Sequence, residues 1–124
     1  MKYRSVNVVK SSGGWGGPLI ITPTDEKPII ACITGGGIHP VAAKIAELTG
    51  GQAVDAFRTG VKFDKMACVV VDCGGAARCG VYPQKGIPTV NIVPCGPSGF
   101  LSRYMKPEIY VSGVGPENVT LVEE

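Results

Sequence analysis

The sequence predicts an α/β fold: a mostly parallel sheet with helices packed on it and extra strands at both ends. Two apolar runs, at residues 28–33 and 66–71, have the length and composition of strands buried on both faces. A third strand is predicted at residues 87–93. Glycine-rich turns and helical patterns alternate with these runs, which is the order expected of parallel strands joined by crossover helices.

Shorter strand patterns lie towards the two ends of the chain. Residues 3–9 and 19–22 predict a hairpin-like edge. The glycine-rich loop between them holds Trp15, which is either a lid on the core or an anchor for a partner. Residues 108–112 and 119–122 predict two last strands. These segments are the extra strands of the predicted fold.

The clearest helical pattern follows the first buried strand. Pro40 suits the first position of a helix and Gly50 suits its end. Lys44 and Glu47 are predicted to face outward. Weaker helical patterns cover residues 52–57 and 100–105. The apolar face of the first helix consists of Val41, Ile45 and Leu48.

Composition limits the classes of function. The 124 residues are enough for one ordinary domain, so we predict that residues 1–124 form a single domain. A net charge of +2 without a basic stripe, together with few aromatic residues, argues against nucleic acid as a partner. No apolar run approaches the roughly 20 residues of a membrane-spanning helix. Five cysteines without a signal peptide indicate reduced thiols in the cytoplasm rather than a disulfide framework.

The most reactive pattern is the segment DCGGAARCG at residues 72–80, directly after the second buried strand. Cys73 stands at the predicted strand end, where a helix start and Arg78 favour the thiolate form of a cysteine. Successive amides in such a turn offer donors to an oxyanion. These amides belong to Gly74, Gly75 and Ala76. The segment therefore suits a cysteine that carries or attacks phosphate.

Other interpretations of the same cysteines stay open at this point. Cys79 is a second candidate for the nucleophile, a resolving thiol that forms a redox disulfide with Cys73, or a packed side chain. Cys73 itself has a purely structural interpretation as a small residue at a tight strand end. A metal site built from His39, Cys73, Cys79 and Cys95 matches no established ligand spacing.

Three loops are predicted to share one edge of the sheet. They follow the three buried strands, at residues 34–40, 72–80 and 94–99. Ligands of open α/β sheets bind at the carboxyl ends of the strands, so this edge is the predicted site. His39 and Cys95 lie in the outer two loops. His39 is interpreted either as a phosphate contact or, more simply, as the cap of the helix that follows it.

Several segments, taken together and in order, resemble one protein family. They are GGWGGPL at 13–19, LTGGQA at 48–53, DCGG at 72–75, RCGVYP at 78–83, IPTVNI at 87–92 and IYVSGV at 109–114. The family is the cytoplasmic IIB domain of the glucitol/sorbitol-specific permease of the bacterial phosphoenolpyruvate-dependent sugar phosphotransferase system. The resemblance covers nearly the whole chain, from residue 13 to residue 114.

The resemblance implies a phosphoryl relay. A IIA protein carrying a phosphohistidine would pass phosphate to a cysteine of this chain, which would pass it to a polyol taken up through the membrane IIC part. We place the phosphocysteine on Cys73, assisted by Arg78. No metal or other cofactor is implied, and the location is the cytoplasm at the inner face of the cell membrane. Trp15 and Tyr82 are candidate contacts for the partners.

The chain departs from the family pattern in its first strand-end loop. The loop at residues 34–40 differs from the shorter loop with an arginine that is associated with the family. If an arginine there helps to hold phosphate, His39 or Lys44 has to replace it. The remaining cysteines, Cys32, Cys68 and Cys95, match no motif and are interpreted as packing residues.

Overall fold

The computed structural model describes residues 3–34, 37–56, 58–72, 81–96 and 102–122. Its strands are β1 (Val6–Val8), β2 (Leu19–Ile21), β3 (Ile29–Ile33), β4 (Gln52–Asp55), β5 (Met66–Val71), β6 (Thr89–Asn91), β7 (Tyr110–Ser112) and β8 (Val119–Leu121). Its helices are α1 (Pro40–Thr49) and α2 (Val81–Gln84), with 3₁₀ turns at Phe63–Lys65, Ser102–Tyr104 and Pro116–Asn118. No helix in the described ranges has the length and apolarity to cross a bilayer.

A five-stranded sheet of order β4-β3-β5-β6-β7 forms the centre of the molecule, and all its neighbouring strands are parallel. A separate antiparallel sheet has the order β2-β1-β8. The α/β class is therefore confirmed. The extra strands divide between the sheets in a way that the sequence does not reveal, since β7 joins the parallel sheet while β1, β2 and β8 form their own.

Strand β5 lies in the middle of the core, with all six residues buried. Cys68 and Val70 face a cluster to which α1 and the antiparallel sheet contribute. Val69 and Val71 face a second cluster on the opposite side of the sheet. Burial on both faces explains why the sequence of this strand is a continuous apolar run. The pairing with β3 shifts register next to Ala67, and this bulge places Met66 on the second face.

Helix α1 begins and ends as predicted. Pro40 is its first residue, and Gly50 follows its last turn in a left-handed conformation with φ 84°. The Gly50 amide donates to the carbonyl oxygen of Ala46 at 2.8 Å. Lys44, however, is half-buried instead of facing outward, because its Nζ donates to the carbonyl oxygen of Pro116 at 2.8 Å. Lys44 thus ties α1 to the turn before β8.

Two weaker helix predictions are wrong for the described residues. The predicted helix at residues 52–57 is instead the edge strand β4, whose backbone continues the ladder beside β3. The Ala56 amide donates to the carbonyl oxygen of Cys32 at 3.0 Å, so the neighbouring strand decides the conformation of this short segment. The predicted helix at 100–105 contains only the single 3₁₀ turn Ser102–Tyr104 within the described residues.

Candidate functional site

The carboxyl ends of four parallel strands form a flush edge, which we call the carboxyl edge. The last residues of these strands pair with one another across the sheet. They are Ile33 in β3, Val71 in β5, Asn91 in β6 and Ser112 in β7. Strand β5 therefore ends inside this edge, between β3 and β6, and Asp72, which follows it, is exposed.

The residues predicted to carry the chemistry follow Asp72 in the sequence. Asp72, on the carboxyl edge, is the last described residue before them, and Val81, where α2 begins, is the first after them. The predicted site residues lie outside the described residues, and their roles stay predictions. They are Cys73, Gly74, Gly75, Ala76, Arg78 and Cys79.

His39 occupies the β3 side of the carboxyl edge as the cap of α1. Its Nδ1 accepts a hydrogen bond from the Val41 amide at 3.1 Å. In the neutral imidazole the proton then resides on Nε2. The interpretation of His39 as a helix cap is confirmed, while a contact with phosphate stays a prediction. The alternative residue, Lys44, is already committed to Pro116.

A polar network on the β6 and β7 side was not predicted from the sequence. The Asn91 Nδ2 donates to the Tyr110 hydroxyl at 3.0 Å, and that hydroxyl donates to the carbonyl oxygen of Cys95 at 2.6 Å. The Asn91 Oδ1 accepts from the Val93 amide at 3.0 Å. Asn91 is fully buried, so each unmade bond would leave a costly desolvated group. The network therefore holds the chain at residues 92–96 in a defined position beside the end of β5.

Trp15 covers the same end of the sheet from the side of β7. Its ring lies 6.0 Å from the Tyr110 ring, centre to centre, and its indole lies over Gly96. The Trp15 amide donates to the Ser112 Oγ at 2.9 Å, and its carbonyl oxygen accepts from the Ser112 amide at 2.8 Å. Trp15 is half-buried and packs on the second cluster. The structure thus supports the lid interpretation.

Tyr82 is the other aromatic residue predicted to contact a partner. It lies on α2, half-buried against the second cluster. The Phe63 ring meets it edge-on, with ring centres 6.0 Å apart. Much of the Tyr82 side chain is therefore in contact with the core, and only the remainder is accessible to a partner.

The three cysteines interpreted as packing residues are free thiols in the structure. Cys32 and Cys68 are fully buried, and Cys95 is partly exposed beside Gly96. Burial, with a smaller contribution from Cys32, raises the pKa of Cys68 from 9.0 to about 12. Cys68 is therefore protonated and unreactive at neutral pH. In the described part of the chain, no group of three His, Cys, Asp or Glu side chains is arranged to hold a metal ion.

We expect the buried Cys68 thiol to make the fold sensitive to alkaline pH. Its pKa is about 12 when folded and near 9 when unfolded, so its contribution is intact below pH 9 and is lost progressively towards pH 12. The free energy of unfolding should fall by about 1.4 kcal/mol per pH unit above pH 9 through this group alone. Urea unfolding of the reduced protein at pH 8 and pH 10 measures the change.

Cys68→Ala is the control for this pH dependence. It keeps every other titrating group, so the wild-type protein should lose about 1.4 kcal/mol more than this variant between pH 8 and pH 10. Parallel pH profiles for the two proteins would show that Cys68 does not contribute.

Comparison with known proteins shows the family of the chain. The family model described as "Sorbitol phosphotransferase enzyme II N-terminus" matches residues 5–124. The chain is 46% identical over 123 residues to a protein of Clostridium beijerinckii named "PTS system glucitol/sorbitol-specific EIIB component". The match covers 98% of this chain and 37% of that relative, so the chain spans little more than a third of its length. No solved structure matches the chain.

The family match runs from β1 past β8, and the alignment with the relative spans almost the whole chain. The resemblance seen in the sequence is thereby confirmed. This chain belongs to the family of the N-terminal part of the sorbitol phosphotransferase enzyme II.

Proposed function

We propose that this chain is the IIB component of a glucitol/sorbitol phosphotransferase system and carries phosphate on Cys73. The observation that carries the proposal is the place of Cys73 in the chain, two residues after β5 ends inside the carboxyl edge. Phosphate would come from a phosphohistidine of a IIA protein and would go to glucitol, sorbitol or a related polyol. The family and the name of the Clostridium beijerinckii relative support a glucitol/sorbitol phosphotransferase system and a IIB component.

Both transfers are displacements at phosphorus. In the first, the Cys73 thiolate forms an S–P bond while the N–P bond of the phosphohistidine breaks, and the donor imidazole takes up a proton. In the second, a polyol hydroxyl forms an O–P bond and loses its proton, while the S–P bond breaks and the thiolate returns. Positioning and charge stabilisation dominate such reactions. Arg78 and the amides of Gly74, Gly75 and Ala76 are the groups proposed to hold the phosphoryl oxygens.

Asp72 is the one acidic group next to the proposed nucleophile. A buried carboxylate there would oppose both the thiolate and the incoming phosphate. Asp72 is exposed at the edge, where water and salt screen its charge. The repulsion is therefore small enough for Arg78 and the backbone amides to outweigh it.

The proposed partners are the IIA phosphohistidine protein and the membrane IIC part, which use the thiol in turn. The chain would work in the cytoplasm, at the inner face of the membrane, through its contact with IIC. The carboxyl edge has an exposed apolar residue on the β3 side, Ile38, whose surface is 46% accessible. On the other side, Trp15 is partly accessible. Both are candidate contacts for a donor that docks at this edge.

Ile38→Ser is expected to weaken docking of the IIA donor. Truncation of an apolar anchor at an interface costs about 1 kcal/mol or more, so the IIA concentration for half-maximal transfer should rise about fivefold. Steady-state transfer of labelled phosphate at varied IIA concentrations measures this half-maximal concentration. The maximal rate should change little. The control is Ile20→Ser, an equally apolar and 59% exposed residue on β2 of the antiparallel sheet. Equal effects of both substitutions would contradict docking at the carboxyl edge.

The proposed function is tested by incubating the chain with phosphoenolpyruvate, the upstream carriers and IIA, then locating phosphate by mass spectrometry. The expected result is one phosphate, bound to sulfur in the segment at residues 72–80. A chain that takes no phosphate, or takes it on another residue type, overturns the proposal.

A further inference from the structure

We infer that Cys32 is a positioning residue whose buried thiol anchors Gly37 and His39, in the loop between β3 and α1, at the carboxyl edge. The sequence offers Cys32 only as a packing residue. In the structure it is fully buried near the end of β3, on the face that packs against α1. Its thiol also makes polar contacts with the loop that leaves the strand. The functional part of this inference rests on the proposed function.

Three loop groups converge on the sulfur of Cys32. The His39 amide donates to it at 3.3 Å. The thiol donates to the carbonyl oxygen of Gly37 at 3.4 Å, and the Thr34 hydroxyl lies 3.6 Å away. The Thr34 hydroxyl also donates to the carbonyl oxygen of Gly37 at 3.2 Å. An aliphatic side chain at position 32 would remove the sulfur partner of the His39 amide.

The anchoring acts on residues that lie on the carboxyl edge. Gly37 and His39 flank Ile38, so their bonds to the sulfur project the Ile38 side chain outward. The His39 backbone in turn sets the ring whose Nδ1 caps α1. The sulfur therefore controls where both an exposed apolar side chain and an imidazole lie on the carboxyl edge.

The strands that precede the anchored loop and the cysteine segment in the chain, β3 and β5, end side by side. Ile33 at the end of β3 pairs with Val71 at the end of β5, so the chain enters the two segments from neighbouring positions. Phosphoryl transfer depends steeply on the placement of the surrounding groups. A shift of the loop should therefore slow transfer although Cys32 touches neither phosphate nor partner.

Cys68 provides a matched control. It is also a fully buried thiol, on the neighbouring strand and in the same cluster as Cys32. Its thiol makes no side-chain hydrogen bond to another described residue. Cys32→Ala and Cys68→Ala thus remove the same atom from the same core, and only the first removes the anchor of the loop.

The experiment compares the wild-type protein with Cys32→Ala, Cys32→Ser and Cys68→Ala. In Cys32→Ala, hydrogen exchange of the His39 amide, measured by NMR, should become about tenfold faster relative to the α1 core amides. Transfer of phosphate from IIA should become about tenfold slower. Cys68→Ala should leave both values within twofold of the wild type. Cys32→Ser, whose hydroxyl accepts the same bond, should restore most of both. If Cys32→Ala does not fold, Cys32→Val fills the volume without a polar atom and takes its place.

Equal exchange of the His39 amide in the Cys32 and Cys68 variants would overturn the inference, whatever the transfer assay gives. Faster exchange without slower transfer would overturn its functional part. A wild-type chain that accepts no phosphate would instead overturn the proposed function, and the exchange measurement would still decide whether Cys32 anchors the loop.

Discussion

Cys73→Ser should lose phosphate transfer almost entirely, by about a thousandfold or more. Serine keeps the size and place of the side chain, but its hydroxyl is far less ionised than a thiol at neutral pH and lacks the nucleophilicity of sulfur. The measurement is the rate at which labelled phosphate moves from IIA to the chain. Urea unfolding of both proteins checks that the substitution acts on transfer and not on the fold.

Cys79→Ser is the control for this experiment. The two thiols lie in one short segment, and the sequence alone leaves Cys79 as a rival nucleophile or as a redox partner. If Cys73 carries the phosphate, Cys79→Ser should keep transfer within a few-fold of the wild-type rate. Phosphate on Cys79, with Cys73→Ser still active, would reverse the assignment. A reversible Cys73–Cys79 disulfide together with no phosphate uptake would instead favour the redox interpretation.

Gly16→Ala in the Trp15 loop should destabilise the fold strongly. Gly16 has φ +81°, and a Cβ there would overlap the backbone carbonyl oxygen of Tyr110. The loop would have to separate from β7, which breaks bonds such as that from the Gly17 amide to Tyr110, 3.2 Å long. The strain of the left-handed conformation and the loss of these hydrogen bonds together should lower the free energy of unfolding by about 3–5 kcal/mol. Urea unfolding measures the loss, and fluorescence of the sole tryptophan, Trp15, should shift to the red as its ring leaves Tyr110.

Gly13→Ala separates strain from overlap in the same loop. Gly13 has φ +91°, yet a Cβ there meets nothing within 4 Å. Its cost should be only that of the left-handed conformation, about 1–2 kcal/mol, with unchanged Trp15 fluorescence. Equal losses of unfolding free energy for Gly13→Ala and Gly16→Ala would show that Gly16 is not required for a close approach to β7.

The sequence predicted the central strands and the first helix well because their signals are local and strong. Strands β3 and β5 are continuous apolar runs, and α1 has both a proline start and a glycine end. Strand β4 was missed because four residues, Gln52–Asp55, carry too little pattern, and pairing with β3 decides their conformation. The separate antiparallel sheet was missed because β1 and β8 meet from opposite ends of the chain.

The residues of the candidate site likewise include some that the sequence singled out and some that it did not. The sequence singled out Cys73 and Arg78, because a thiol beside glycines and an arginine is a chemical pattern that needs no fold to be recognised. It did not single out Asn91 or Ser112. Each is one polar residue at the end of an apolar strand, and its partner is distant in sequence, as for Ser112 and Trp15.

By itself, the sequence determined the α/β class, the buried character of β3 and β5, the limits of α1, the cysteine segment and the family. Each follows from composition, periodicity or a contiguous motif. Only the tertiary structure decided that β7 belongs to the parallel sheet, that Trp15 is a lid, and that the Cys32 thiol contacts the loop between β3 and α1. These depend on contacts between segments far apart in the chain or on the direction of one side chain, neither of which a linear pattern records.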